Sequence, residues 1–292
     1  MPQTLTIRQA LFFEGIGKTE ARVLLSHLLK KETAYLLAHD TETLDATSAQ
    51  LYISYVKRCL KGEPVAYIIG QKECYGLMFR VTPDVLIPRP DTETLIEAAL
   101  AVIPSDQPCR VLDLGTGSGV VAIAIAHHRP NADVFAADVS EAALEVARQN
   151  AKNLLGDVSR FHVVLSDWFS AFPEPLFSRS FDVIVSNPPY IKEGDAHLTE
   201  TGLPYEPHAA LVSGKQGLDA ITHLCARAPN YLKPRGYFML EQGYDQADAV
   251  ANLMTLNGLT DIEHKKDLSG IRRVTVARRF GNFNRQARTA QK

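Results

Sequence analysis

The sequence predicts an α/β protein with a small N-terminal helical-bundle domain, a β-hairpin connector and a domain built on a parallel or mixed sheet. Apolar residues in roughly the first 70 positions follow helical spacing. From about residue 88 onwards, short apolar runs alternate with helical patterns, and glycine- or proline-containing turns follow several of those runs. The predicted boundaries are 1–73 for the helical domain, 74–87 for the hairpin linker, 88–281 for the α/β domain and 282–292 for a disordered tail.

Helical spacing defines the N-terminal domain. In "TEARVLLSHLLKK" Val23, Leu24 and Leu28 fall on one side, and Thr19 is the expected N-cap. "TSAQLYISYVKRCLKG" repeats this pattern, and "TAYLLAHD" predicts a shorter helix between the two. The pattern is typical of a helical bundle that serves as a platform, and contact with a substrate is compatible with it.

In the connector the hydrophobic pattern changes from helical spacing to alternation. "ECYGLMFRV" alternates apolar and other residues around Gly76, which predicts a hairpin. In the following "IPRPDTE" the two prolines prevent helix, and Asp91 or Thr92 is the expected N-cap of the next helix, with Glu93 completing the cap. A functional alternative is that this segment covers an active site, with Arg89 reaching a substrate; we favour the capping interpretation for the acids.

Strand and helix patterns then alternate to the end of the second domain. This order predicts a parallel or mixed sheet covered by helices on both faces. The predicted strands lie in "RVLDLG", "ADVFAADVS", "RFHVVLSDWF", "FDVIVSNPPY", "GYFMLEQG" and "RRVTVARRF". The predicted helices lie in "VVAIAIAHHRP", "EAALEVARQNAKNLLG" and "GLDAITHLCARAPNYL".

Composition restricts the class of protein. Hydrophobic residues make up 46% of the chain, and 31 Lys and Arg against 33 Asp and Glu leave a formal charge of −2. Proteins that bind nucleic-acid phosphates usually carry a basic excess, so this balance argues against a direct nucleic-acid target. No window approaches the roughly 20 apolar residues of a membrane span, and no secretory leader is evident. We therefore expect a soluble cytoplasmic protein without a membrane partner.

The cysteines and histidines give no metal-binding pattern. The cysteines form no CxxC pair, which favours reduced thiols over a disulfide framework or a zinc site. His127 and His128 have no acid or cysteine partner at ligand spacing, so no metal site is predicted. The four cysteines are Cys59, Cys74, Cys109 and Cys225.

A glycine-rich turn follows the first strand of the second domain. In "DLGTGSG" Gly115, Gly117 and Gly119 permit a tight turn and close approach of a ligand to the backbone. Val120 stands where a dinucleotide-binding fingerprint places its third glycine. Asp113, at the strand end, suits a cationic amino-acid group better than a pyrophosphate. The turn therefore favours a small ligand without phosphate.

Acidic residues also end the next two strands. Asp138 lies about 20 residues further on, where a carboxylate can accept both hydroxyls of a ribose. In "SDW" the Asp167 carboxylate can accept an adenine amino proton, and the Trp168 indole can pack on the base. Each residue singly could be a polar strand end or a core residue. Together they predict a site for an adenosine joined to a zwitterion, which resembles the S-adenosylmethionine site of the Rossmann-like methyltransferases.

"NPPY" follows the fourth strand. Proline fixes its own φ, lacks an N–H and keeps the preceding residue extended, so Asn187 and Pro188 form a rigid ledge of acceptors (residues 187–190). The Asn187 side-chain oxygen and the Pro188 carbonyl can both accept hydrogen bonds from one planar NH₂ group, and Tyr190 can stack on it. Two acceptors that match a pyramidal nitrogen better than a planar one stabilise the transition state of nitrogen methylation. The alternative without a catalytic role is a proline-ended strand with an exposed tyrosine.

The tetrapeptide alone does not choose the substrate. The same motif occurs in enzymes that methylate adenine N6 in DNA or RNA and in enzymes that methylate glutamine side chains. A non-catalytic binding module that kept the fold is a third hypothesis, against which the intact glycine turn, Asp138 and "NPPY" argue.

The chain resembles the release factor glutamine N5-methyltransferases over nearly its whole length. The resemblance rests on "EPVAYIIG", "LIPRPDTE", "LDLGTGSG", "SDWFSA", "VSNPPYI" and "YEPHAALVSGKQGLDA". It implies an S-adenosylmethionine-dependent enzyme that methylates the glutamine of the GGQ motif in peptide chain release factors, with the helical domain helping to grip that protein.

The site residues follow from the motifs and the resemblance together. The predicted cofactor-binding residues are Asp113, Gly115, Thr116, Gly117, Ser118, Gly119, Asp138, Asp167, Trp168 and Asn187. The predicted catalytic and substrate-binding residues are Asn187, Pro188, Pro189 and Tyr190, with Arg89 as a further substrate contact. Glu206 and Glu241 are candidate polar contacts on the cofactor or substrate side.

Overall fold

The computed structural model describes residues 5–174, 176–200 and 202–281, so the tail predicted to be disordered, 282–292, lies outside the described residues. The described residues group into two compact units. The first unit comprises residues 5–71, 81–83 and 196–206, and the second comprises 72–80, 84–195 and 207–281. Residues 196–206 belong to the first unit although the chain order places them beyond the fourth strand of the sheet.

The first unit is helical. Its core includes the fully buried Leu24, Leu25 and Tyr52, and the Tyr52 hydroxyl donates a 2.6 Å hydrogen bond to the Ala10 carbonyl. Two 3₁₀ turns, Ala196–Thr199 and Leu203–Tyr205, complete the unit. The helices are α1 (Ile7–Leu11), α2 (Lys18–Leu29), α3 (Thr33–Ala38), α4 (Ala46–Cys59) and α5 (Val65–Ile69).

The predicted cap of α2 is wrong. Gly17 is the N-cap, and its N–H donates to the Glu20 carboxylate at 2.7 Å. Because that carboxylate satisfies an unpaired donor at the helix start, the helix begins at Lys18 and Thr19 lies inside the first turn.

The second unit is built on one sheet, and the predicted α/β fold is confirmed. A separate hairpin contains β1 (Gln71–Cys74) and β2 (Leu77–Arg80), and the strands of the sheet are β3 (Cys109–Leu114), β4 (Ala132–Asp138), β5 (Phe161–Leu165), β6 (Phe181–Ser186), β7 (Leu232–Glu241), β8 (Leu259–Lys266) and β9 (Arg272–Arg279). Among the described residues these seven strands join in the order β5-β4-β3-β6-β7-β9-β8. The strands from β5 to β7 run parallel, whereas β9 pairs antiparallel with both β7 and β8.

Helices cover the two faces of the sheet. Alternate residues along a strand enter different cores: Val111 packs in one and Leu112 in the other, as do Val183 and Ile184. No helix in the described part of the chain is long and apolar enough to cross a bilayer. The helices of this unit are α6 (Thr92–Val102), α7 (Val120–His128), α8 (Glu141–Leu154), α9 (Asp219–Tyr231) and α10 (Ala247–Leu256), with a 3₁₀ turn at His208–Ala210.

The strand order reverses between β3 and β6. Chain order runs outward from β3 through β4 to β5 on one side and from β6 to β7 on the other. In open α/β sheets the crevice at such a reversal, beyond the carboxyl ends of the strands, is where ligands bind. The glycine turn follows β3 and the ledge follows β6, so both lie at this point.

Candidate active site

A cavity of about 290 Å³ opens at the carboxyl ends of the strands that flank the reversal. This volume is close to the lower end of ordinary small-ligand pockets, roughly 300–1,000 Å³. The predicted residues that line it are Gly115, Thr116, Gly117, Ser118, Asp138, Asp167, Trp168, Asn187 and Pro189. The structure therefore brings the glycine turn, the two later acids and the ledge to one cavity.

The glycine turn is held against the end of β4. The N–H groups of Gly115 and Thr116 donate to the Ala137 carbonyl at 2.8 and 3.0 Å. Gly119 has φ +84°, a left-handed conformation that favours glycine, and a Cβ there would lie 2.7 Å from Ile123 Cδ1, so the end of that side chain would have to shift. A Cβ on Gly117 would meet nothing within 4 Å, which leaves the backbone on that side open to a ligand.

Asp138 joins the turn to the cavity. Its two carboxylate oxygens accept hydrogen bonds from Gly117 N and Ser140 N, each at 2.9 Å. Each oxygen of an ionised carboxylate has two lone pairs, so both retain capacity for a further donor. The side chain is therefore fixed in place and can still accept a pair of adjacent hydroxyls.

Trp168 forms an aromatic wall of the cavity. It has φ +49°, a conformation that side chains rarely adopt, and the Ser166 hydroxyl donates to its carbonyl at 2.7 Å. Gly115 has φ +72°, a left-handed conformation that favours glycine, whereas a Cβ there would make only an ordinary contact with the indole ring at 3.6 Å. This wall suits a flat heteroaromatic ligand.

Asp113 does not line the cavity, and its contact with a cationic ligand stays a prediction. The side chain is 1% exposed, and Oδ2 accepts hydrogen bonds from Thr116 Oγ1 at 2.7 Å and Ala122 N at 3.2 Å. Burial raises the pKa of Asp113 to about 7 against the lowering effect of those hydrogen bonds, and Asp138 raises it further. Its carboxylate thus holds the glycine turn on the start of α7.

The ledge is tied to the strand beside it. The buried Ser186 hydroxyl donates to the Leu114 carbonyl at 2.6 Å, which joins the end of β6 to the end of β3. At the next position Asn187 Nδ2 donates to Thr92 Oγ1 at 3.2 Å. Thr92, the first residue of α6, also lines the cavity. The Asn187 amide nitrogen is thereby engaged by the protein, which leaves Oδ1 as the end available to a ligand.

Several predicted residues lie outside the cavity lining. Tyr190 donates from its hydroxyl to Glu241 Oε1 at 3.3 Å, and burial raises its pKa, so it stays a neutral phenol. The Tyr190 carbonyl accepts from Gln246 Nε2 at 3.0 Å, which fixes the far end of the ledge. A ring in this place does not form part of the cavity wall. The other predicted residues absent from the lining are Arg89, Gly119, Pro188, Glu206 and Glu241.

The predicted capping role of "PDTE" is also wrong. Asp91 occupies the N-cap position of α6 but makes no capping hydrogen bond; its carboxylate pairs with Arg273 at 3.0 Å. Glu93 accepts from Tyr75 N at 3.0 Å instead of reaching back to the cap. Contacts with neighbouring elements take both acids away from the local motif.

Comparisons with known proteins agree with this geometry. A methyltransferase domain model matches residues 105–281, and a PrmC N-terminal domain model matches residues 12–70. The chain is 44% identical to the release factor glutamine methyltransferase of Coxiella burnetii, covering 90% of this chain and 92% of that one, and 39% identical to the Escherichia coli protein of the same name with the same coverage. The chain belongs to the release factor glutamine methyltransferase family.

A solved structure supports the fold alone. The methyltransferase from Pyrococcus furiosus is 18% identical, covers 78% of this chain and 98% of its own, and superposes with a TM-score of 0.51. The seven-stranded sheet of this family member therefore has the topology of a methyltransferase domain.

The family resemblance does not identify every residue of the cavity. Val139 lines it and is 66% exposed, and the sequence signal that could have found it is its place directly after the strand-end acid Asp138. Thr92 is predicted as a cap, not as a partner of Asn187, because sequence gives no information on contacts 95 residues apart. Other lining residues not predicted are Asp84, Val85, Leu86, Pro88, Val120, Ser140, Ala143, Ser166, Pro207, Ala209 and Ala210.

Proposed function

We propose that this protein transfers a methyl group from S-adenosylmethionine to the side-chain amide nitrogen (N5) of the glutamine in the GGQ motif of peptide chain release factors, and so modulates translation termination. The observation that carries the proposal is that Asp138, Trp168 and Asn187 line one cavity. A donor site and an amide acceptor site next to each other are what methyl transfer to a glutamine requires.

The residues around the glycine turn fit the methyl donor. S-adenosylmethionine supplies an electrophilic methyl group on a sulfonium. Asp138 has acceptor capacity for the two ribose hydroxyls, and Trp168 offers a face for adenine. Asp167 is assigned to the adenine amino group, and Gly117 leaves the backbone open to the amino-acid portion. No residue of this set requires a phosphate.

The ledge addresses the poor nucleophilicity of an amide. The amide lone pair is conjugated with the carbonyl, and the rotation barrier of about 18–20 kcal/mol measures that conjugation. We assign Asn187 Oδ1 and the Pro188 carbonyl as acceptors for the two amide hydrogens. Acceptors that fit the pyramidal nitrogen better than the planar one lower the barrier selectively. Proline at position 188 suits this role because its N–H is absent and its φ is fixed.

The comparisons favour glutamine over adenine as the acceptor. Relatives of 39–44% identity, which align with this chain over almost their full length, are named release factor glutamine methyltransferase. Residues 12–70 match the PrmC N-terminal domain model. The formal charge of −2 gives no support to a nucleic-acid substrate. Pro189, Tyr190 and Arg89 remain predicted substrate contacts.

Methyl transfer from radiolabelled donor tests the proposal. We expect label in a release factor that carries the GGQ motif and none in the same factor with that glutamine changed to alanine. The second factor is the matched control because it keeps the fold and loses only the acceptor. Label in DNA or RNA together with an unlabelled release factor would refute the proposed substrate.

A further inference from the structure

The Asn187 carboxamide has two ends of nearly the same shape and opposite hydrogen-bonding character. Its oxygen accepts and its NH₂ group donates. Only the oxygen can receive the hydrogens of a substrate amide; the reversed orientation would place two donors face to face. Something must therefore select one orientation. Thr92 Oγ1, which accepts from Asn187 Nδ2 at 3.2 Å, is the contact that engages the nitrogen end.

Thr92 alone cannot make this selection. A hydroxyl both donates and accepts, so it can pair with either end of a carboxamide. The Thr92 hydroxyl, however, lies close enough to the Glu241 carboxyl for a hydrogen bond from Thr92 to lower the pKa of Glu241. An ionised carboxylate only accepts, so Thr92 directs its hydrogen towards Glu241 and its lone pairs towards Asn187. The carboxamide is then required to present its NH₂ end to Thr92.

The burial of the Glu241 carboxyl in this place is energetically unfavourable. It ends β7 and is 0% exposed. Tyr190 donates to Oε1, and Oε2 has no hydrogen-bond partner among the described residues. A buried carboxylate with an unsatisfied oxygen destabilises a fold. The cost suggests a task that a neutral side chain of similar size could not perform.

We propose that Thr92 and Glu241 are positioning residues that hold the Asn187 carboxamide with its oxygen towards the methyl acceptor. The inference rests on the proposed function, because it concerns the same ledge. Neither residue needs to touch the reacting atoms for this role. Both act through Asn187, and Tyr190 holds the carboxyl from its other side.

Charges around Glu241 set the pH range of the effect. Burial raises the pKa of Glu241 to about 7. Asp91 raises it further, whereas Thr92, Tyr190 and Arg273 lower it. The buried Cys74 thiol, a weaker neighbour, has its own pKa raised in part by Glu241. Below about pH 7 the carboxyl gains a proton and can itself donate to Thr92, so the orientation of Asn187 is no longer imposed.

The test compares five variants of the full chain, one of them a control, by radiolabelled methyl transfer. We expect Thr92→Val and Glu241→Gln each to lower kcat about tenfold or more. Thr92→Ser keeps the hydroxyl and should therefore retain most of the kcat of the unaltered protein. The double variant Thr92→Val/Glu241→Gln should be no slower than the slower single variant. Both changes remove the same effect, which is the orientation of the Asn187 carboxamide. Thr94→Val, in the same helix and outside the cavity lining, is the matched control and should keep the kcat of the unaltered protein.

Two further readouts separate positioning from a structural role. Donor affinity, measured by titration of the single tryptophan, Trp168, should change less than twofold in each variant. The kcat of the unaltered protein should fall as pH decreases from 8 to 6, and Glu241→Gln should flatten that profile. Because Asp113 titrates in the same range, the difference between the two profiles carries the result.

Three results would overturn the proposal: Thr92→Val with a kcat within twofold of the unaltered protein, parallel pH profiles for the unaltered protein and Glu241→Gln, or a donor affinity lost together with turnover. If Glu241→Gln does not fold, the Thr92→Val and Thr92→Ser pair decides. An error in the proposed substrate can be told apart from an error in the positioning role. The same variants can be compared on whichever acceptor the unaltered protein labels.

Discussion

Asn150 connects three segments, of which α8 and the glycine turn line the cavity. It lies in α8 and is 1% exposed. Oδ1 accepts from Arg80 N at 2.8 Å, and Nδ2 donates to the Arg80 carbonyl at 3.0 Å and to the Ser118 carbonyl at 2.8 Å. One side chain therefore joins the end of β2 and the glycine turn to the same helix. We expect Asn150→Ala to loosen both.

The magnitude follows from the groups left without partners. The Ser118 residue is 2% exposed, so its carbonyl loses a partner in a buried place, at about 1–3 kcal/mol. Arg80 is exposed, so water can reach its backbone and each of its two hydrogen bonds counts for about 0.5–1.5 kcal/mol. The sum is a loss of about 4 kcal/mol in the free energy of unfolding. For a unit of this size that loss corresponds to a decrease in Tm of about 8–16 °C.

Urea unfolding followed by circular dichroism measures this loss. Gln149→Ala is the control, because Gln149 is the neighbouring position and makes an exposed hydrogen bond to Glu145. That change should stay within about 0.5 kcal/mol of the unaltered protein. Equal stability of Asn150→Ala and Gln149→Ala would show that the hydrogen bonds of Asn150 do not stabilise the fold. Donor binding, reported by Trp168 fluorescence, should weaken only in Asn150→Ala.

The remaining predictions concern three side chains of the site. Asn187→Ala should lower methyl transfer on the order of 10²-fold with donor affinity retained, as for loss of one preorganised transition-state contact; lost affinity with full turnover at saturating donor would contradict this. Asp138→Ala should weaken donor binding about tenfold or more in a Trp168 fluorescence titration, since its hydrogen bonds involve a charged group, and unchanged affinity would show that the carboxylate does not bind the donor. Asp113 has a folded pKa of about 7 against 3.8, so its ionisation destabilises the fold and stability falls as pH rises between those values. Asp113→Asn should therefore gain stability relative to the unaltered protein between pH 5 and pH 8 in urea unfolding, and an equal difference at both pH values would contradict that pKa.

The sequence is most informative where local physics and tertiary structure agree. The strand patterns around Val111 and Val183 are continuous apolar runs because parallel strands are buried on both faces. The glycine turn and "NPPY" constrain the backbone through their own residues, so the amino-acid sequence alone suffices to place both at strand ends. Strand β8 is not predicted, because an edge strand with mixed burial carries no continuous apolar run.

The errors have one physical origin. Asp91 and Glu93 match a capping pattern, yet Arg273 and Tyr75 take them as partners. Asp113 stands at a strand end that faces a ligand crevice, yet its carboxylate is turned into the turn that it stabilises. Sequence indicates where a polar side chain is but not which of its possible partners it meets, and those partners lie far along the chain for Asp91 and close by for Asp113. The partnership of Asn187 with Thr92 is of the same kind.

The pairing of Leu114 with Ser186 sets a spacing on which the chemistry depends. A slip of one residue between these strands would displace the ledge by about 3.3 Å and turn its asparagine to the opposite face of the sheet. Main-chain pairing, not adjustable side chains, thus aligns methyl source with methyl recipient. Redesign towards a different methyl recipient could accordingly alter the pocket wall and leave the pairing of β3 and β6, which fixes the spacing, unchanged.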